Sequence, residues 1–316
     1  MADGKDIDLD IQQWQNIMQE TYTSLSPFDS TSIDDLRRVT ALVRAPWTEG
    51  GPVMQRIEEK HVGTYSTRIR LYYPNHDQAC PTLIYIHGGG YIIFSLDTHD
   101  RLMREYASRA NVVVIGVDYS LSPEVKYPRA IYEIVSVIQW LREQNATDLS
   151  IDVNRMAIGG DSAGANLSVA TNLRLRALNE PVLVAQLLNY GVYDRVRPTS
   201  DSYVRYNDPK YRLNAEEMQF YFNNYIQNEA DYDDPYVCPL HADLHGLPPS
   251  FLTITECDVL FDENRSMAEA LRKANVNVEE HIYHGTTHSF LEAVRIATIS
   301  NKALDDACQW LIKQFY

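Results

Sequence analysis

The segment Met156-Ala157-Ile158-Gly159-Gly160-Asp161-Ser162-Ala163-Gly164 constrains the fold of this chain more than any other. An apolar run at 155–159 leads into a serine with a glycine two residues away on each side, and a helix-forming stretch at 163–178 follows. A serine at a sharp strand-to-helix turn takes a strained backbone conformation, and bulky neighbours at plus and minus two would clash. Such a turn lifts the hydroxyl above the end of a strand and aims a helix amino terminus at whatever the hydroxyl attacks. The pentapeptide alone is common, and a plain Gly-Ser turn is the bland alternative. The strand before it and the helix after it supply the context the motif requires.

The rest of the chain repeats that strand–helix step. Strand-like runs at 68–73, 82–86, 112–117, 155–159, 184–188, 251–255 and 278–283 alternate with helical stretches at 98–110, 128–143, 163–178, 263–274 and 291–315. The run at 112–117 is rich in β-branched residues, as a strand buried on both faces requires. The alternation predicts an α/β fold with a mostly parallel central sheet flanked by helices. Residues 1–55 differ. Stretches 11–24 and 32–43 read as amphipathic helices, Ser32 fits an N-cap with Asp35 three residues on, and Pro27, Pro46 and Pro52 punctuate the segment. About sixty residues separate the runs at 184–188 and 251–255, and they hold nine tyrosines between Tyr190 and Tyr236. A helix is expected to start after Asn214, with Glu217 in the capping-box position. A structureless loop of that length is uncommon, so 190–245 reads as an inserted helical cap. The expected organisation is a catalytic domain over 56–316, with the helices of 1–55 forming part of the cap.

Composition narrows the function classes. A formal net charge of −15 repels phosphate backbones and anionic lipid surfaces, so nucleic acid and membranes are poor partners. The four cysteines are scattered, with no zinc spacing, and read as packing residues. The first ten residues carry four aspartates and no apolar run, unlike a Sec-type leader, and no stretch approaches a membrane span. A cytoplasmic location is the default expectation. Nothing in the sequence chooses between a monomer and a homodimer.

Two further sites complete a hydrolytic chemistry. His87-Gly88-Gly89-Gly90 follows the run at 82–86. The anion of a tetrahedral intermediate needs backbone N–H donors at close range, and consecutive glycines allow that approach. The expected donors are the amides of Gly88 and Gly89 with that of Ala163, while Gly90 and Tyr91 are expected to touch substrate. The alternative of a phosphate cradle lacks the lysine and Ser/Thr of a P-loop. His87 is expected to hold the loop. A general base must follow the last strand if the order is serine, acid, histidine. His288, in the turn Gly285-Thr286-Thr287-His288-Ser289-Phe290, fits best, with His284 as the alternative. Asp258 is the first aspartate after the run at 251–255. Glu256, Asp262 and Glu263 compete with it, and spacing alone does not decide.

These residues resemble the hormone-sensitive-lipase family of α/β-hydrolases. His87-Gly88-Gly89-Gly90-Tyr91 is similar to its signature loop, and Gly160-Asp161-Ser162-Ala163-Gly164 to its nucleophile motif. Asp118-Tyr119-Ser120-Leu121-Ser122-Pro123-Glu124 resembles another of its segments. Asp258-Val259-Leu260-Phe261-Asp262-Glu263 and the turn around His288 resemble its acid and histidine loops. Ala165 departs from the second glycine of many members. The segment Leu96-Asp97-Thr98-His99-Asp100-Arg101 looks closer still to bacterial acetyl esterases. The resemblance implies an α/β-hydrolase fold with a helical cap, a triad of Ser162, Asp258 and His288, and a preference for short acyl chains. The expected activity is hydrolysis of acetyl to butyryl esters through an acyl-enzyme, which needs no metal or organic cofactor. Rival readings are another hydrolase on the same scaffold, or a ligand receptor that has lost catalysis.

Overall fold

In a computed structural model the strands are β1 (Arg56–Val62), β2 (Thr67–Tyr73), β3 (Cys80–Ile86), β4 (Val113–Asp118), β5 (Ile151–Asp161), β6 (Gln186–Asn189), β7 (Ser250–Cys257) and β8 (Val278–Thr287). The structure describes residues 7–26, 32–74, 79–143 and 149–316. The acidic start through Asp6 and the proline at 27 lie outside them. The strands form one sheet in the order β1-β2-β4-β3-β5-β6-β7-β8. β1 and β2 are antiparallel to each other and β2 to β4, while every pairing from β4 to β8 is parallel. All seven residues of β3 are buried, the pattern of a strand covered on both faces. Truncating one of its isoleucines to alanine would cost about 2–5 kcal/mol.

The helices are α1 (Leu9–Ser24), α2 (Ile33–Thr48), α3 (Asp100–Ala110), α4 (Arg129–Glu143), α5 (Ala163–Ala177), α6 (Asp201–Tyr206), α7 (Ala215–Tyr225), α8 (Phe261–Lys273) and α9 (Thr298–Phe315). Ser32 caps α2 by accepting the amide of Asp35 at 3.3 Å, and Asn214 with Glu217 forms a reciprocal capping box on α7. Among the described residues no helix is long and apolar enough to cross a membrane.

Several elements depart from the sequence expectation, and β5 starts earlier, at Ile151, while β8 runs on through Gly285 to Thr287. β1 has no counterpart among the strand-like runs. It is a charged edge strand, Arg-Ile-Glu-Glu-Lys-His-Val, with no apolar run to mark it. Helix α2 continues past Val43 to Thr48 and contains Pro46. The stretch expected as one helix over 291–315 divides into a 3-10 turn at Phe290–Arg295 and α9.

Candidate active site

The site stands at the carboxyl ends of the parallel strands, where ligands bind in open α/β sheets. β5 ends at Asp161 and α5 begins at Ala163, so Ser162 alone makes the turn, at φ 54° and ψ −119°. A side chain in such a region costs about 1–3 kcal/mol and persists only where the surroundings enforce it. Here the enforcement is close packing. A Cβ on Gly164 would strike the carbonyl of Ile86, and one on Gly160 would strike both that carbonyl and the backbone of Gly164. The Ser162 amide also donates to Asn189 O at the end of β6, at 2.9 Å.

His288 and Asp258 come to this serine from the loops after β8 and β7. Ser162 Oγ lies 2.9 Å from His288 Nε2, and His288 Nδ1 lies 2.6 Å from Asp258 Oδ2. The amide of Leu260 donates to Asp258 Oδ1 at 3.0 Å, which fixes the carboxylate plane. Each rival is engaged elsewhere. His284 is largely exposed and pairs with Glu256 at 3.1 Å. Glu256 also accepts the amide of Gly285 at 2.8 Å, Asp262 that of Ser202 at 2.8 Å, and Glu263 that of Tyr193 at 2.7 Å. Tyr190, which the motifs did not single out, sets its ring edgewise against His288 with centroids 5.2 Å apart.

The glycine loop requires a correction. Gly88 does not face the cavity above Ser162, and its amide donates to Asp161 Oδ1 at 3.1 Å. A Cβ at Gly88 would collide with that carboxylate. Gly89 and Gly90 do line the cavity, at φ 114° and 57°, conformations that favour glycine. Among the described residues neither of their amides has an acceptor, and neither has that of Ala163 at the first position of α5. Tyr91 lines the cavity but stacks on Tyr225 of α7 at 3.7 Å, so its ring chiefly pins α7 to the loop.

Beneath the loop lies a buried polar cluster that sequence reasoning missed. Asp161 Oδ1 also accepts from Tyr85 Oη at 2.9 Å, and Asp161 Oδ2 lies 3.3 Å from His99 Nε2. Arg44 of α2 lies 3.3 Å from His99 and pairs with Glu292 at 2.8 Å. Burial opposes ionisation of Asp161, but His99, Arg44 and Tyr85 overcome it and hold the carboxyl below its ordinary range. Burial raises Glu292 in spite of Arg44. His87 stacks on Tyr119 at 4.5 Å and lies 2.7 Å through Nδ1 from Gly88 O. Burial, aided by neighbouring His99, pushes His87 down to about 3. Tyr119 Oη donates to His87 O at 3.0 Å, and Arg37 of α2 donates to Ile92 O and to Glu124, each at 2.8 Å. The Asp118–Glu124 segment thus buttresses the glycine loop.

Residues from both unusual segments line the cavity, among them Tyr22 and Thr40 from the first and Leu213 and Met218 from the second. Helix α1 is tied to the histidine loop. The Asp8 amide donates to Gly285 O at 2.8 Å, Gln15 to Thr287 Oγ1 at 3.0 Å, and the Thr298 amide to Asp10 at 3.2 Å.

A strained serine between a central parallel strand and a helix, on an eight-stranded sheet, defines an α/β-hydrolase fold. Residues 83–292 match the family described as alpha/beta hydrolase fold. The chain belongs to its hormone-sensitive-lipase-like family of esterase-type hydrolases. Solved structures agree. A hyperthermophilic esterase from the archaeon Pyrobaculum calidifontis superimposes with a TM-score of 0.89 at 28% identity, covering 98% of each chain. A thermostable esterase from Pseudomonas putida gives 0.89 at 26% identity, covering 99% of this chain and 98% of the other. A thermostable carboxylesterase cloned from a metagenomic library gives 0.87 at 28%, covering 90% of this chain and 98% of the other.

Proposed function

We propose that this chain hydrolyses short-chain carboxylic esters, acetyl to butyryl, by a two-step acyl transfer. The observation that carries the reading is the hydrogen-bonded chain Ser162–His288–Asp258 on the wall of a small cavity. Ser162 Oγ attacks the ester carbonyl as His288 Nε2 takes its proton. Asp258 fixes the imidazole tautomer and stabilises its cation. The amides of Gly89, Gly90 and Ala163 receive the oxyanion, each worth about 3 kcal/mol in the transition state. His288 then protonates the leaving alcohol, and water releases the acid by the same route in reverse roles. The segments 1–55 and 190–245 act as the cap.

Chain-length preference rests on the cavity. It measures about 150 Å³, and Tyr91, Ile93 and Phe94 crowd one wall. Space of that order accepts a molecule about the size of benzene. The test is hydrolysis of p-nitrophenyl esters from acetate to laurate by the wild type and by Ser162→Ala. The reading expects a maximum at short chains and a loss of at least about 10⁴-fold in the variant. Turnover that is undiminished in the variant overturns the nucleophile. A maximum at laurate overturns the pocket assignment.

A further inference from the structure

Three charged side chains line the cavity that holds Ser162 and His288: Arg44, Arg212 and Glu217. They are not equivalent. Glu292 balances Arg44 at 2.8 Å. Arg212 has no such contact partner, and Glu217 on the same wall acts on it only from beyond ion-pair distance. Among the described residues no carboxylate lies within ion-pair distance of its guanidinium, and its side chain makes no hydrogen bond. It rests instead over the ring of Trp14, 4.8 Å from the centroid. Trp14 is fully buried on α1, so that platform is fixed. A guanidinium seated on a ring face keeps its N–H groups for another acceptor.

The backbone holds Arg212 there at a cost. Its φ of 79° and ψ of −46° follow the 3-10 turn Pro209–Tyr211, and its amide donates to Pro209 O at 3.0 Å. Non-glycine residues in such regions cost about 1–3 kcal/mol, and they cluster at ligand clamps. Burial disfavours the charged form, yet a guanidinium stays protonated. The fold thus carries a half-buried cation with no ion-paired partner on the wall of its cavity. A partly desolvated charge of this kind gains from a partner that arrives with the opposite sign.

We propose that Arg212 receives a carboxylate carried by the substrate, so that the preferred esters are short monoanions with the carboxylate on the acyl or the alcohol part. The proposal rests on the esterase reading of the same site. A carboxylate matches the planar guanidinium through two parallel hydrogen bonds, and one negative charge matches one unpaired positive charge. Glu217 is the acid on the same wall. One of its oxygens accepts the Asn214 amide at 3.1 Å, and burial raises its pKa, which weakens its opposition to an anion.

The experiment compares kcat/KM within two length-matched pairs. p-Nitrophenyl hemisuccinate against p-nitrophenyl butyrate places the carboxylate on the acyl side. Butyrylglycolate against propyl butyrate places it on the alcohol side. The wild type is expected to prefer the anionic member of one pair. Arg212→Gln is expected to lower that anionic-to-neutral ratio by about 10- to 100-fold, chiefly through KM, the worth of charge-assisted hydrogen bonds. Arg212→Lys retains part of the preference. Glu217→Gln, which keeps a capping-box side chain, raises the ratio. If Arg212→Gln does not fold, competitive inhibition of the wild type decides, with succinamate expected to bind more tightly than butyramide. A wild type that prefers the neutral ester in both pairs overturns the proposal, as does a ratio unmoved by Arg212→Gln. A folded wild type that hydrolyses no member of either pair overturns the esterase reading and this proposal with it.

Discussion

Two histidine–carboxylate clusters lie on either side of one turn, and they share residue types but not access. His288 and Ser162, each 8% exposed, meet Asp258 on the wall of the cavity. His99, Asp161 and Glu292 are buried beneath the glycine loop, with His99 at 0% and Asp161 at 2%, and of that group only Arg44 reaches the cavity wall. Asp161 and Ser162 are neighbours in sequence, yet one side chain turns into the protein and the other toward the cavity. In the buried cluster the charges hold Gly88, α2 and the 3-10 turn after β8. In the open one, His288 Nε2 shares its bond with a hydroxyl that a substrate can reach. A histidine beside an aspartate is therefore not a mark of catalysis. What separates the two is whether the third partner faces space.

That contrast breaks first if Asp258 behaves like Asp161. Asp258→Asn preserves shape and spoils the tautomer of His288, so kcat for p-nitrophenyl butyrate is expected to fall about 10⁴-fold with little change in Tm. A fall under about tenfold removes the distinction between the clusters. Asp161→Asn is expected to act the other way round. It removes a buried charge facing His99 and Arg44 and so destabilises by about 3–5 kcal/mol in urea melts. Its effect on kcat stays well below that of Asp258→Asn, because an asparagine side chain there keeps an amide oxygen that accepts from the Gly88 backbone. The smallest effect sharpens the contrast by pH. His87 titrates near 3 when folded, against about 6.5 when unfolded. Its stabilising contribution is therefore complete above about pH 6.5 and is lost as pH falls toward that lower value, with a slope approaching 1.4 kcal/mol per pH unit. Urea melts between pH 8 and 5 are expected to show this loss in the wild type and a flatter profile in His87→Asn. Asp161, held low, adds its own loss only below about pH 4, where an unfolded aspartate takes up its proton.

The parts of the site legible in the sequence are those fixed by backbone. Gly160 and Gly164 must be glycine because Ile86 O leaves no room, and the serine between them is marked by that need. The histidine and acid loops are marked by their places after strands. Within His87-Gly88-Gly89-Gly90, however, the sequence does not say which amides point where. That depends on the φ of each glycine, and Gly88 serves Asp161. Asp161 lies in the nucleophile motif and His99 in the Leu96–Arg101 segment, but no common spacing joins them to Arg44 and Glu292, so the sequence does not announce the cluster. The tyrosine-rich segment is legible as an insertion and, through Asn214 and Glu217, as a capped helix. Which of its side chains reach the cavity depends on packing that many sequences could satisfy.

The bonds from α1 to the histidine loop and to the start of α9 join residues 272 to 288 positions apart. A ribosome emits α1 well before the histidine loop. While the chain is being made, the apolar face of α1, with Ile11, Trp14 and Met18, has no finished surface to cover it, and such exposed faces are where nascent proteins aggregate. The cavity is complete only when these two distant segments meet, so its closure waits until the histidine loop has been made.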